Sequence, residues 1–182
     1  IRIDERPAEV LTREIPGHWE GDLVLGKNRE SAIGTLVERT TRFLIIVPLK
    51  KRDSTTVRKA FEKEFRKLPD NLKLSWTYDN GTEMAQHKTF TKNSKVKVYF
   101  AHPYSPWERP TNENTNGLIR DYFPKGTDFN LVSKKQLKEV QNKLNEALAE
   151  AGIEGEVSGR VKHIYSNNQK MKLKGLSFDQ LY

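Results

Sequence analysis

Between His18 and Leu49 the chain carries three β-like runs rich in apolar residues, His18 to Leu25, Ala32 to Glu38 and Phe43 to Leu49, separated by the turn-forming GKNRES and by RTTR. Runs of this length broken by such short connections predict a three-stranded antiparallel meander. Helical spacing follows. Val57, Ala60, Phe61, Phe65 and Leu68 recur at three- and four-residue spacing behind Asp53 and Ser54, which can cap a helix that Pro69 ends. Beyond it the pattern predicts a strand over Leu74 to Tyr78, a helix over about Thr82 to Thr91 and a strand over Val96 to Phe100. The loop HPYSPWERP leads into a helix near Thr111, with Pro110 at or just before the first turn, where its missing N–H matters little. A last helix is expected from Ser133 to about Ala151. This order predicts an α/β fold. Residues 1–15, polar and bounded by Pro16, read as a linker, 16–150 as one domain, and 151–182 as an atypical basic extension.

Charge adds a partner class. With 32 Lys and Arg against 24 Asp and Glu, the 182-residue chain carries a formal +8, which favours a polyanion, most commonly nucleic acid. The absence of cysteine excludes disulfides, thiolate zinc sites and cysteine nucleophiles. The longest apolar stretch, Phe43 to Leu49, is too short for a bilayer, and IRIDERPAEV lacks the apolar centre of a signal peptide, so a cytoplasmic chain without a membrane partner is expected. A start at Ile1 suggests a piece of something longer.

Three acids bear on chemistry: Asp22 in GHWEGDLVLG, Asp79 in LSWTYDNG and Glu113 in SPWERPTNENTNGLIRDYF. Asp22 on the first strand and Asp79 just past the fourth meet if those strands are neighbours, because ligand groups gather at the carboxyl ends of strands in open α/β sheets. Glu113 must then come from a helix laid across that edge, sharing a face with Asn116, Gly117 and Arg120. Carboxylate oxygens suit Mg²⁺ or Mn²⁺, and two such ions about 3.5–4 Å apart catalyse phosphoryl transfer. Each acid taken singly has a simpler reading: Asp79 precedes Asn80-Gly81 and fits a turn, and Glu113 fits a helix N-terminus. The four histidines form no ligand spacing, although His18 is expected near the metal centre. Trp19, Trp76 and Trp107 read as core or loop anchors, Trp107 also as a residue that packs against a DNA end.

The segments HWEGD, YDNGTE and SPWERPTNENTNGLIRDYFPKGTDF resemble the catalytic domain of insertion-sequence transposases of the IS-thirty type, relatives of retroviral integrases. The resemblance covers about residues 2–146, and the family's spacing of thirty-three residues between its second Asp and its Glu is met by residues 80–112. It implies an RNase H-like mixed sheet, two Mg²⁺ or Mn²⁺ ions held by Asp22, Asp79 and Glu113, and DNA or supporting contacts from Asn112, Asn114, Asn116, Arg120 and Lys125. It further implies cleavage at transposon ends, joining of the freed 3′ hydroxyl to target DNA, and a homo-oligomer when active. Pro110 stands where family members usually have glycine, and Met84 where they have phenylalanine. Two other functions stay open on the sequence: a catalytically silent DNA-binding or assembly module, and a nucleotide-binding relative of alarmone synthetases. The last rests on ALAEAGIEGEVSGRVKHIYSNNQKMKLKG, since residues 147–182 resemble a truncated start of a RelA/SpoT-type synthetase domain. That resemblance implies phosphate contacts by Arg160, Lys162, Ser166 and Lys170, without the acidic metal-binding motif that synthesis requires.

Overall fold

The computed structural model of the protein describes residues 1–79 and 81–150. Strands β1 (His18–Leu25), β2 (Ala32–Glu38) and β3 (Leu44–Pro48) form the expected meander, with Trp19 opposite Glu38 and Ile33 opposite Pro48. The turn between β2 and β3 closes on Glu38, whose buried carboxylate accepts from the N–H groups of Gly17, Thr40 and Thr41 and from the Thr41 hydroxyl. Strand β4 (Ser75–Tyr78) adds in parallel to β1, and β5 (Lys97–Phe100) in parallel to β4, giving the order β3-β2-β1-β4-β5.

Alternation along the strands divides the core in two. Trp19, Leu36, Ile45 and Val47 face helix α2 (Ser54–Phe65), which supplies Val57, Phe61 and Phe65 at four-residue spacing and is capped by Asp53 through the Thr56 N–H. Room for these rings comes from missing side chains. A Cβ on Gly21 would lie 2.2 Å from the Trp76 indole nitrogen, and one on Gly34 2.6 Å from the Phe61 ring. Val24, Ile33, Val37, Leu44 and Ile46 face the other way, onto helices α4 (Pro110–Tyr122) and α5 (Lys134–Glu150), which follow a short helix α3 (His87–Ser94) on the first face. Pro110 occupies the first helical position, as expected.

One expectation is corrected. The helix expected over Thr82 to Thr91 is broken into a 3₁₀ turn (Thr82–Met84) and α3. Met84 is drawn into the core, and Gln86, off helical geometry, bonds Thr55 and Arg58 through its side chain. Residues 1–15, expected as a linker, are mostly exposed and touch the domain at a few points. Val10, in the one-turn helix α1 (Glu9–Thr12), is fully buried, Arg2 bridges to Phe100 at the open side of β5, and Arg6 donates to Thr77 at 3.0 Å. An unpaired strand edge offers backbone partners to whatever chain lies beside it.

Candidate active site

Strand register brings the first two acids to one level. Along β1 and β4, His18 pairs with Ser75, Trp19 with Trp76 and Glu20 with Thr77; continued by two residues, the same register sets Asp79 beside Asp22. Asp22 accepts from the Leu23 N–H at 2.8 Å and from Asn116 Nδ2 at 3.0 Å, and Asp79 accepts from the Gly81 N–H at 3.2 Å. Burial pushes the Asp22 carboxyl up from its ordinary range; Arg109 and the Leu23 N–H pull it back, and Asp79 and Glu83 push it further.

Both carboxylates face the guanidinium of Arg109. Its Nη1 donates to the Gly21 carbonyl at 3.0 Å and lies 3.6 Å from Asp22 Oδ2, while Nη2 is 4.0 Å from Asp79 Oδ2. Glu113, one turn further along α4, is exposed. Among the described residues no three His, Cys, Asp or Glu side chains stand close enough together to hold a metal ion. The donor chemistry nevertheless suits a hard divalent ion: two carboxylates share one positive charge, and a third lies on the same helix face as Asn116.

Behind Asp22 runs a buried polar chain. Glu20, two residues earlier on the same strand face, is fully buried, pairs with Arg39 and accepts from the Asn112 backbone N–H at 2.8 Å. Asn112 Nδ2 donates to Thr35 at 3.1 Å and Asn112 Oδ1 accepts from Asn116 Nδ2 at 3.1 Å, so α4 is fastened to β1 and β2 beside the carboxylate it orients. Sequence reasoning misses Glu20, Arg39, Thr35 and Arg109. Two signals could have found part of this set: the period of two along HWEGD puts Glu20 on the face of Asp22, and a spacing of four puts Arg109 below Glu113.

The remaining expected contacts are spread along α4 and beyond it. Asn112 is fully buried and positions α4, the supporting one of its two expected roles. Asn114 turns away from Asp22 and lines a small cavity of about 60 Å³ with Arg13, Arg42 and Leu118. Arg120 directs its guanidinium inward, onto the carbonyls of Leu25 at 2.7 Å and Phe123 at 3.4 Å. Lys125 is exposed in the turn after α4. His18 is buried at the far end of β1, bonded to Ser75 at 2.8 Å, because it stands four positions before Asp22 on the strand. Trp19 and Trp76 are core, whereas Trp107 stands 69% exposed on the loop before α4. Arg160, Lys162, Ser166 and Lys170 lie outside the described residues.

Comparison with known proteins bears on this arrangement. The family model described as an integrase core domain matches residues 13–106, a span that holds Asp22 and Asp79 and stops short of Glu113. The chain is 49% identical over 143 residues to the transposase InsI of insertion sequence element IS30A from Escherichia coli K12, covering 79% of this chain and 37% of that one. It is 43% identical over 145 residues to the transposase of IS1086 from Cupriavidus metallidurans, covering 80% and 43%. The chain thus spans about two fifths of the length of these relatives. A further match, 43% over 66 residues and only 9% of the relative, is to a GTP pyrophosphokinase of Myxococcus xanthus, which is compatible with the resemblance read in the final segment. In fold the chain is similar to the HTLV-2 integrase catalytic core domain in complex with magnesium (TM-score 0.54, 18% identity, 72% of this chain and 87% of that one). It is likewise similar to a chain of the simian T-cell lymphotropic virus intasome (TM-score 0.56, 19% identity, 72% and 49%).

Proposed function

Because the chain belongs to the integrase core domain family and has insertion-sequence transposases as relatives, we propose that it is the DNA-cutting and joining domain of a transposase. Its substrates are transposon ends and target DNA, and it works as a homo-oligomer. The observation that carries this reading is the approach of Asp22, on β1, and Asp79, just past the end of the parallel neighbour β4, to one guanidinium, that of Arg109.

Asp22, Asp79 and Glu113 would hold two Mg²⁺ or Mn²⁺ ions. Bound there, the ions supply a lowered pKa for an attacking water or 3′ hydroxyl and charge neutralisation for the leaving oxygen. The protein supplies placement. Asn116 and the Leu23 N–H hold the two oxygens of Asp22, and the Gly81 N–H holds one oxygen of Asp79. Glu20 fixes the first turn of α4 and with it the level of Glu113. Arg109 balances the two aspartates until the ions arrive, after which its guanidinium is available to a DNA phosphate, to which a planar fork is well matched. No covalent enzyme intermediate is required.

The test is Mn²⁺-dependent nicking of supercoiled plasmid by the 182-residue chain and its Asp79→Asn variant, beside their melting curves. Nicking by the parent that is lost in a folded variant supports the assignment. Undiminished nicking by the variant overturns it, as does failure of Mn²⁺ to raise the parent's melting temperature, since an ion that binds only the folded state must stabilise it.

A further inference from the structure

We propose that the outer edge of β3 carries a second nucleic-acid contact, a lysine-lined groove that takes the phosphate backbone of duplex DNA. Two adjoining cavities of about 290 and 540 Å³ open between α2, β3 and α5, sharing Pro48, Ala60, Lys63, Lys134 and Leu137 as lining. Their rims are set with Lys50, Lys59, Lys63, Lys67, Lys134 and Lys138; among the described residues Glu64, which pairs with Lys67 at 2.5 Å, is the one carboxylate that lines either. The four-residue spacing of Lys59 and Lys63 on α2, and of Lys134 and Lys138 on α5, sets two rows of ammonium groups about 6 Å apart along each helix. Burial pushes the Lys138 ammonium below its ordinary range; Lys67 adds to this and Glu64 opposes it.

Six lysines against one carboxylate facing one groove leave an excess of positive charge that selects a polyanion. The edge itself is closed to an added strand. Asn145 of α5 bonds both the N–H and the carbonyl of Leu44, at 2.8 and 2.9 Å, and Gln141 accepts from the Ile46 N–H at 2.9 Å. A two-fold dimer through this face would set lysine against lysine, and like-charge juxtaposition costs several kcal/mol. Duplex DNA meets neither obstacle. It is drawn here from the proposed function only as the polymer concerned; the groove is separate from the carboxylates and needs no metal.

The test is binding of a non-specific duplex to the 182-residue chain by fluorescence anisotropy across a salt series, in EDTA so that cleavage plays no part. Lys63→Gln with Lys134→Gln removes the two lysines that line both cavities; Lys88→Gln with Lys92→Gln on α3 removes equal charge elsewhere. The groove variant is expected to lose about 1.8 from the log–log salt slope and to bind on the order of tenfold or more weaker at about 0.1 M salt. The α3 variant is expected to keep the parent's slope. Equal losses in both variants would reduce the effect to net charge and overturn the proposal. An unchanged slope in the groove variant would also overturn it, and a change in sedimentation in its place would make this face an interface between copies.

Discussion

Arg109 holds its guanidinium 3.6 Å from Oδ2 of Asp22, and on its other side meets Asp79, so one arginine occupies the place that the proposed ions would take. Removing it leaves two partly buried carboxylates facing each other, which raises the energy of the ion-free protein. Arg109→Ala should therefore melt lower than the parent in EDTA and gain more from Mn²⁺. Thermal melting with and without the ion checks this, and an equal gain in both proteins would show that Arg109 does not stand in the cation's place.

The polar chain behind Asp22 predicts a graded loss. Asn116→Ala removes the donor to Asp22 Oδ2 without touching a proposed ion ligand. Supporting contacts of this kind are worth about 10–100-fold in metal affinity or activity. Titration of Mn²⁺ against melting temperature should show a midpoint raised by that order, and the ion-free melt should fall as well because Asn112 Oδ1 and the Thr35 hydroxyl lose a partner. Glu20→Gln keeps the shape of the side chain while weakening its tie to Arg39, and should shift the same midpoint in the same direction.

How much of this is legible in the sequence follows from which interactions are local. The meander, the Asp53 cap and Pro110 at the start of α4 rest on run length and turn chemistry within a few residues, and the strand bounds of β1 and β2 match the runs read there. Spacing and motif single out Asp22, Asp79 and Glu113, whereas Arg109 escapes them because an arginine beside two aspartates becomes visible only when β1 and β4 are neighbours. Asn112 reads as either a DNA or a supporting contact for the same reason. Its burial depends on Glu20, 92 residues away, and on Thr35, 77 away, and an exposed-looking polar motif gives no sign of such partners. The anchor points of residues 1–15 are hidden because Val10 and Arg6 are single residues in a polar stretch.

Two glycines test the packing with opposite signs. Gly21→Ala drives a methyl into the Trp76 indole, and overpacking of this kind costs about 1–3 kcal/mol. Gly117 lies inside α4, and a methyl group added there would meet nothing within 4 Å, so Gly117→Ala should stabilise by about 1 kcal/mol through helix propensity. Urea denaturation of the two variants checks both, and loss of stability in Gly117→Ala would show that the surface there is occupied.

His102 predicts a pH dependence with a defined sign. Its ring lies 2.8 Å from Glu108 and 3.1 Å from Asp4; the hydrogen bond to Glu108 and the charge of Asp4 raise its pKa above the usual imidazole value, and Arg6 faces Glu108 from the other side. A raised folded pKa contributes stability that is fully present below the unfolded pKa of about 6.5 and is lost as pH rises through the folded value. The parent should therefore melt above His102→Gln at about pH 5.5, and the two curves should converge by about pH 9. A difference that grows with pH would reverse the sign and remove His102 as the tie between the first residues and the loop before α4.

The seal on β3 predicts both a stability loss and a change in solution behaviour. Asn145 is buried and satisfies two backbone groups of Leu44 on the side of β3 away from β2. A buried donor or acceptor left without a partner costs about 1–3 kcal/mol, so Asn145→Leu, which keeps the branched outline and removes both bonds, should unfold at lower urea concentration. It also reopens an edge, and an unpaired edge is a template for another chain. Light scattering of Asn145→Leu at rising protein concentration should show association beyond that of the parent. If the variant is destabilised yet associates no more than the parent, the lysines flanking the edge are sufficient by themselves to keep β3 edges apart, and the amide serves only to satisfy Leu44.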